Sequence, residues 1–218
     1  MNILCLYAKA PVAGKSKTRL AQDIGNDMAA EIARAMLQDI LTITESLDNI
    51  TVQLWSPPNT KVADYNMDFP DEMLFYTQEG KDLGERMAHT FKTLLKEENR
   101  VIIIGSDCVT HEKHILEDAF SRLETEDVIL READDGGYVL IGMRHYYELF
   151  STSEWGSDTV FQTTRDSILK TNAHFYELEK TFDIDFMADL HKALEYLDDN
   201  RSTKTYQLIK SIERKNGL

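Results

Sequence analysis

The chain has 218 residues, and its 24 Lys+Arg against 38 Asp+Glu leave a formal net charge of −14 at pH 7. That excess of carboxylates repels phosphate backbones and anionic lipid headgroups, so neither nucleic acid nor a membrane surface is an expected partner. With 42% hydrophobic and 28% charged residues the composition is ordinary for a globular protein, and a length between one and two typical domains is read as one domain over residues 1–218.

The apolar N-terminal stretch is too short to span a membrane and lacks the basic start and cleavage site of a secretory signal, which makes the cytoplasm the expected compartment. Cys5 and Cys108 each lie in or beside an apolar strand-like run, which suits buried reduced thiols better than a disulfide framework or a zinc site.

In chain order, Ile3 to Ala8 is a continuous apolar run ended by Pro11 and Gly14, the pattern of a strand buried on both faces. The loop after it carries Lys9, Lys15, Lys17 and Arg19. With Asp27 as the expected N-cap, Met28, Ile32, Met36, Ile40, Ile43 and Leu47 recur at steps of three or four, the stripe of an amphipathic helix. Thr51 to Trp55 and Met73 to Tyr76 read as strands, followed by a helix over Leu83 to Leu95. Val101 to Ile104, all β-branched and running directly into Gly105-Ser106-Asp107, is the clearest strand in the chain.

A helix over 112–124, a strand over 127–131, the turn Asp134-Asp135-Gly136-Gly137 and a strand over 138–142 come next. Thr159 to Lys170 and Phe186 to Leu197 are helical patterns with a strand near His174 to Leu178 between them, and Thr203 to Arg214 reads as a last helix. This alternation predicts an α/β fold, a three-layer α/β/α sandwich around a mostly parallel sheet. The hairpin-like GGYVLIG segment makes that sheet mixed, with one strand running against the others.

Chemistry concentrates in four places. In A8-K-A-P-V-A-G-K-S-K-T-R-L20, Gly14-Lys15-Ser16 imitates the end of a Walker A motif, but Lys9 stands where that motif needs a glycine. What remains is a glycine-containing cationic loop after the first strand, suited to an anionic phosphate ligand, with a solvated basic loop as the alternative. Asp107, just past the clearest strand, is placed to ligate Mg²⁺ or Mn²⁺, or else to cap the helix near His111. Ile104 and Cys108 occupy the glycine positions of a nucleophile elbow, which makes Ser106 a poor nucleophile.

Asp135, on a glycine turn at the sheet rim, and the pair Asp183 and Asp185, on one side of an extended segment, read either as functional acids or as turn and cap residues. Arg86, in the polar Gln78 to Arg86 segment, suits a phosphate or a surface ion pair equally. The histidines show no pair at zinc spacing on a helix.

Taken together these blocks resemble the GT-A-like glycosyltransferases labelled as arsenosugar-biosynthesis enzymes, which are related to molybdenum-cofactor and phospholactate nucleotidyltransferases. The shared pattern is K-x-P-x-x-G-x-x-K-T-R-L at Lys9 to Leu20, Q-x-G-x-D-L-G-x-R-M at Gln78 to Met87, G-S-D-C at Gly105 to Cys108, and D-G-G-Y-x-L-I-G at Asp135 to Gly142. The resemblance implies the nucleotide-diphospho-sugar transferase fold, with Lys9, Pro11, Gly14, Lys17, Arg19, Gln78 and Arg86 holding the nucleotide and its phosphates. It also implies a divalent cation, Mg²⁺ or Mn²⁺, on Asp107. A late D-x-D-T-P-x-D-L segment of the related nucleotidyltransferases aligns with Asp183, Asp185 and Asp189 and offers Asp185 as a second ligand, although Phe186-Met187 replaces Thr-Pro and Val109 replaces the usual Pro.

The implied activity is transfer of a sugar from a nucleotide-diphospho-sugar donor to a small-molecule acceptor, with Asp135 acting on the acceptor hydroxyl. A homodimer is left open. Nucleotidyl transfer to a phosphorylated small molecule is the alternative, disfavoured because the chain lacks the glycine-rich L-A-G-G-x-S-x-R-M-G start common in that group. A nucleotide-binding protein without turnover is the third reading, and the presence of both Asp107 and Asp185 speaks against it.

Overall fold

The computed structural model describes residues 1–96, 98–150 and 155–216. Seven strands form one sheet among them: β1 (Asn2–Tyr7), β2 (Ile50–Ser56), β3 (Leu74–Thr77), β4 (Arg100–Gly105), β5 (Val128–Ala133), β6 (Tyr138–Met143) and β7 (Phe175–Thr181). Their spatial order is β3-β2-β1-β4-β6-β5-β7. β1 pairs parallel with β2 and β4, β2 with β3, and β5 with β7, whereas β6 is antiparallel to both β4 and β5. The exception has a local cause, since the turn 134–137 is too short for a crossover and can only reverse the chain.

Alternation along the strands builds two cores. Leu4, Leu6, Ile102 and Ile104 face one side and pack with α2 (Asn26–Glu45) and α4 (Lys113–Arg122). Ile3, Cys5, Val101 and Ile103 face the other and pack with α3 (Leu83–Leu94) and α5 (Val160–Leu169). Both sets are at most 4% exposed, as a sheet covered on both faces requires. At roughly 1.5–3 kcal/mol per buried aliphatic side chain, these central strands supply much of the driving force for folding. This is the expected three-layer α/β/α sandwich with a mixed, mostly parallel sheet.

A third apolar cluster lies outside the sheet. Ile32 and Met36 of α2 pack there with Ile184 and with α6 (Met187–Tyr196) and α7 (Lys204–Asn216). Asp39 of α2 accepts hydrogen bonds from the backbone of Lys204 and Thr205 at 2.9 and 2.8 Å, tying the first turn of α7 to the domain. None of the described helices is long and apolar enough to cross a membrane.

The structure corrects the start of α2. Its cap is Gly25 at φ 82°, and the helix opens at Asn26, which places Asp27 inside the first turn rather than at the N-cap. Only a glycine adopts that backbone angle without cost, and the short α1 (Ala21–Ile24) ends at the same residue, so one glycine joins two helices. Asp27 still favours the helix start electrostatically. The cap of α4 is Glu112, so Asp107 does not cap that helix either. Both cysteines are free and buried, as expected.

Candidate functional site

Because β6 alone is reversed, the carboxyl ends of the other six strands all reach one edge of the sheet. The strand order also changes direction between β1 and β4: the chain goes from β1 outward to β2 and β3, then returns to the far side of β1. Open α/β sheets bind ligands in the crevice at such a switch point. Here it holds a cavity of about 610 Å³. Its lining brings the cations Lys9, Lys15, Lys17, Arg19 and Arg86 together with the acids Asp107, Asp135 and Asp185.

The cationic wall is mostly a loop folded on itself. Ser16 Oγ donates to the Ala10 carbonyl and accepts from Val12 N–H, both at 3.0 Å, while Lys15 and Ser16 N–H donate to the Val12 carbonyl. The coil leaves Gly14 at φ 75° and Lys17 at φ 48°, the left-handed region that a non-glycine residue rarely adopts. Lys9, Lys15 and Arg19 remain exposed, whereas the Lys17 side chain is 4% exposed. Pro11 and Gly14, expected at the nucleotide, are off the cavity wall. Pro11 is buried, with its carbonyl accepting from Arg34, and Gly14 is exposed and serves the turn.

The Lys17 ammonium lies between two carboxylates, 3.1 Å from Asp107 Oδ2 and 3.0 Å from Asp185 Oδ1. Burial alone would lower its pKa, but the two acids outweigh burial and raise it, so the group is a fixed cation. Arg19 holds the other oxygen of Asp185 at 3.0 Å. The Asp107 carbonyl accepts from Ile184 N–H, which fastens the turn after β4 to the segment after β7.

Asp135 Oδ1 accepts from Gly137 N–H at 2.8 Å, closing the turn and holding the carboxylate at the cavity rim. Gly136 in that turn has φ 85°, and a Cβ there would stand 2.0 Å from the Asp158 carbonyl oxygen. Asp183 sits behind this wall, where burial and the neighbouring Asp135 and Asp185 carboxylates push its carboxyl up to about 6 against the opposing pull of Lys17. Asp189 is used locally, accepting from the backbone of Asp185 and Phe186 at the start of α6.

Gln78 and Arg86 also line the cavity. Gln78 is buried, its Nε2 donating to the Trp55 carbonyl at 2.8 Å, and Arg86 Nε donates to the Gly80 carbonyl at 3.2 Å. Sequence reasoning missed Tyr7, whose hydroxyl donates to the Arg86 carbonyl and bonds Thr90, holding the first turn of α3 against β1. Its place as the last residue of the first strand was the available signal. Leu83, inside the Gln78 to Met87 block, and Gly156, which carried no signal, also line the cavity.

A cavity of about 530 Å³ lies elsewhere, between α2, the start of α4 and the α6–α7 connection, and includes Cys108 and His111. Burial raises the Cys108 thiol, but His111 and Thr110 outweigh it and bring the pKa down to about 7. Lys113 is the sole cation on its described lining and is engaged by the Ser46 carbonyl and Glu117, so this cavity offers a phosphate little.

The donor chemistry of the first cavity fits a hard divalent cation, for two carboxylates converge on one cationic centre. Mg²⁺ is commonly held by one or two carboxylates, with substrate phosphates and water completing its shell. Among the described residues no group of three or more His, Cys, Asp or Glu forms a metal site by itself.

Solved structures share this fold. A protein from Desulfovibrio desulfuricans G20 assigned as a nucleotide-diphospho-sugar transferase superposes with a TM-score of 0.90 at 28% identity, over 98% of this chain and 96% of that one. The 4-diphosphocytidyl-2C-methyl-D-erythritol synthase of Anaerococcus prevotii DSM 20548 shares the fold at a TM-score of 0.55 and 10% identity, over 90% and 99% of the two chains. A CMP:2-keto-3-deoxy-manno-octonic acid synthetase complexed with CTP does so at 0.54 and 9%, over 91% and 99%. No curated protein sequence matches the chain. The fold is thus that of the nucleotide-diphospho-sugar transferases. A profile of the family described as uncharacterized proteins conserved in bacteria, DUF2064, matches residues 40–157, which include Gln78, Arg86, Asp107 and Asp135, and the chain belongs to that family.

Proposed function

We propose that the chain is a transferase that takes a nucleotide-diphospho-sugar as donor and passes the sugar to a hydroxyl of a small-molecule acceptor. The observation that carries this reading is the juxtaposition, in one switch-point cavity, of a cationic loop with the carboxylates Asp107, Asp135 and Asp185. The strong likeness to the D. desulfuricans protein supports the donor class.

Lys9, Lys15, Lys17, Arg19 and Arg86 place fixed positive charge where a diphosphate would lie, which stabilises the charge that builds up as a nucleoside diphosphate departs. Asp107 and Asp185 would hold a divalent cation, which supplies further charge neutralisation at the leaving group when bound. Asp135, fixed by its Gly137 hydrogen bond, keeps a carboxylate oxygen at the rim to orient the acceptor hydroxyl and take its proton. Gln78, anchored to the Trp55 carbonyl, is assigned to the nucleotide.

The test is a thermal-shift screen of nucleoside diphosphates, nucleotide sugars and nucleoside triphosphates, each with and without Mn²⁺ or Mg²⁺, since a ligand bound by the native state alone raises the melting temperature. A metal-dependent shift with one nucleoside diphosphate and its sugar supports glycosyl transfer and names the donor base. A shift confined to triphosphates favours nucleotidyl transfer instead. No shift with any nucleotide, unchanged in Asp107→Ala, rejects the phosphate site.

A further inference from the structure

We infer that Lys17 and the divalent cation exclude one another, so that Lys17 is a built-in occupant of the metal position that must be displaced before Asp107 and Asp185 can bind metal. This rests on the reading of those two acids as the cation's ligands. Three observations lead to it.

First, the ammonium sits where both carboxylates point, 3.1 Å from Asp107 Oδ2 and 3.0 Å from Asp185 Oδ1. A hard dication needs carboxylate oxygens at about 2.0–2.6 Å, so a metal and the Lys17 ammonium cannot share that point, and at such range their charges repel strongly. Second, the lysine is seated rather than passing through. Its side chain is 4% exposed, and its ammonium bridges the turn after β4 to the segment after β7, holding two ligands from distant parts of the chain in register. Third, Lys17 has a backbone that favours neither lysine nor any other L-residue, φ 48°, next to exposed cations that face the same cavity. A diphosphate entering there would offer the ammonium oxygen partners that compete with the two acids. The geometry thereby couples the two ligands: phosphate draws Lys17 away, the carboxylates are freed, and metal affinity rises when the donor is present. By reciprocity, metal raises affinity for the phosphate ligand.

Lys17 is therefore a positioning residue for the metal as well as a phosphate contact. The experiment measures Mn²⁺ alone, by the electron paramagnetic resonance signal of the free ion, against the wild type, Lys17→Met and Asp107→Asn. Circular dichroism melts confirm folding, and Lys17→Gln serves in place of the methionine variant if that one does not fold. In parallel, the unmodified protein is labelled with an amine-reactive reagent with and without Mn²⁺, and Lys17 is followed by mass spectrometry.

Competition predicts that Lys17→Met binds Mn²⁺ at least tenfold more tightly than the wild type, that Asp107→Asn loses that binding, and that Mn²⁺ raises Lys17 labelling severalfold. Equal Mn²⁺ affinity in wild type and Lys17→Met, lost in Asp107→Asn and without change in Lys17 labelling, overturns the competition while leaving the metal site standing. Absence of Mn²⁺ binding in every variant overturns both the competition and the metal reading beneath it.

Discussion

The cationic wall of the cleft comes almost entirely from one stretch of chain, with Lys9, Lys15, Lys17 and Arg19 in the loop after β1, whereas the acidic wall is drawn from three places: Asp107 after β4, Asp135 after β5 and Asp185 after β7. Hydrogen bonds within the loop set its coil, and Lys17 and Arg19 are then fastened to the acids. The acids meet only because β4, β5 and β7 run in the same sense and end at the same edge. One wall is a local property and the other a product of topology, so damage to the sheet's turns should disperse the acids and spare the loop.

Gly136→Ala is the strongest way to break the acidic wall. The new Cβ would have to occupy space 2.0 Å from the Asp158 carbonyl oxygen on a left-handed backbone, a backbone clash that no side-chain rotation relieves. A loss of about 3 kcal/mol is expected, lowering the melting temperature by roughly 6–12 °C in a chain of this size, as read by a circular dichroism melt. A melt within 2 °C of wild type would mean that the turn is looser than its geometry indicates.

Asp135→Asn tests the same wall without moving it. The amide oxygen can still accept from Gly137, so stability should change by less than about 1 kcal/mol, while on the proposed function loss of the basic carboxylate should slow the proposed sugar transfer by about 10²-fold or more. Turnover at the wild-type rate would remove Asp135 from the chemistry.

The amino end of β5 supplies the contrasting carboxylate. Asp127 accepts from Arg144 Nε at 2.8 Å and from His174 N–H at 3.0 Å, far from the cleft, and is read as purely structural. Burial alone would raise its pKa, but the His174 amide and the Arg144 guanidinium outweigh that and hold it below the usual carboxylate value. A depressed folded-state pKa means the group stabilises the protein above the unfolded value, near pH 4, and loses that contribution as pH falls through the folded value. Asp127→Asn should therefore cost about 2 kcal/mol at pH 7 and progressively less below pH 4 in urea titrations, with nucleotide binding intact. A pH-independent difference would assign the cost to packing instead of charge.

Arg19→Ala sharpens the cationic wall and should have the smallest effect. Its side chain is 56% exposed and shares Asp185 with Lys17, so nucleoside diphosphate affinity should drop by about fivefold, with a shallower salt dependence, by isothermal titration calorimetry. A loss above a hundredfold would make Arg19 a principal phosphate anchor.

Sequence patterning carried most of the architecture. Strand β4 was legible because Val101 to Ile104 can hardly be anything but a buried strand, and the reversal of β6 because Asp134 to Gly137 leaves no room for a crossover. The cap of α2 was misread because Asp27 is a good cap by type, while the backbone angle at Gly25, set by the turn from α1, moved the helix start upstream. Pro11 and Gly14 carried a recognisable motif yet shape the loop rather than line the cavity.

The sequence by itself determined the layers, the sense of the strands, the cationic loop and the identity of each acid, because these follow from spacing along the chain. Only the tertiary structure decided that Lys17 stands between Asp107 and Asp185, that Asp183 lies behind them, and that Tyr7 steadies Arg86. The Lys17 and Tyr7 contacts join residues separated by roughly 80 to 170 positions, and their energies depend on burial and mutual distance, which the folded sheet sets and residue order does not.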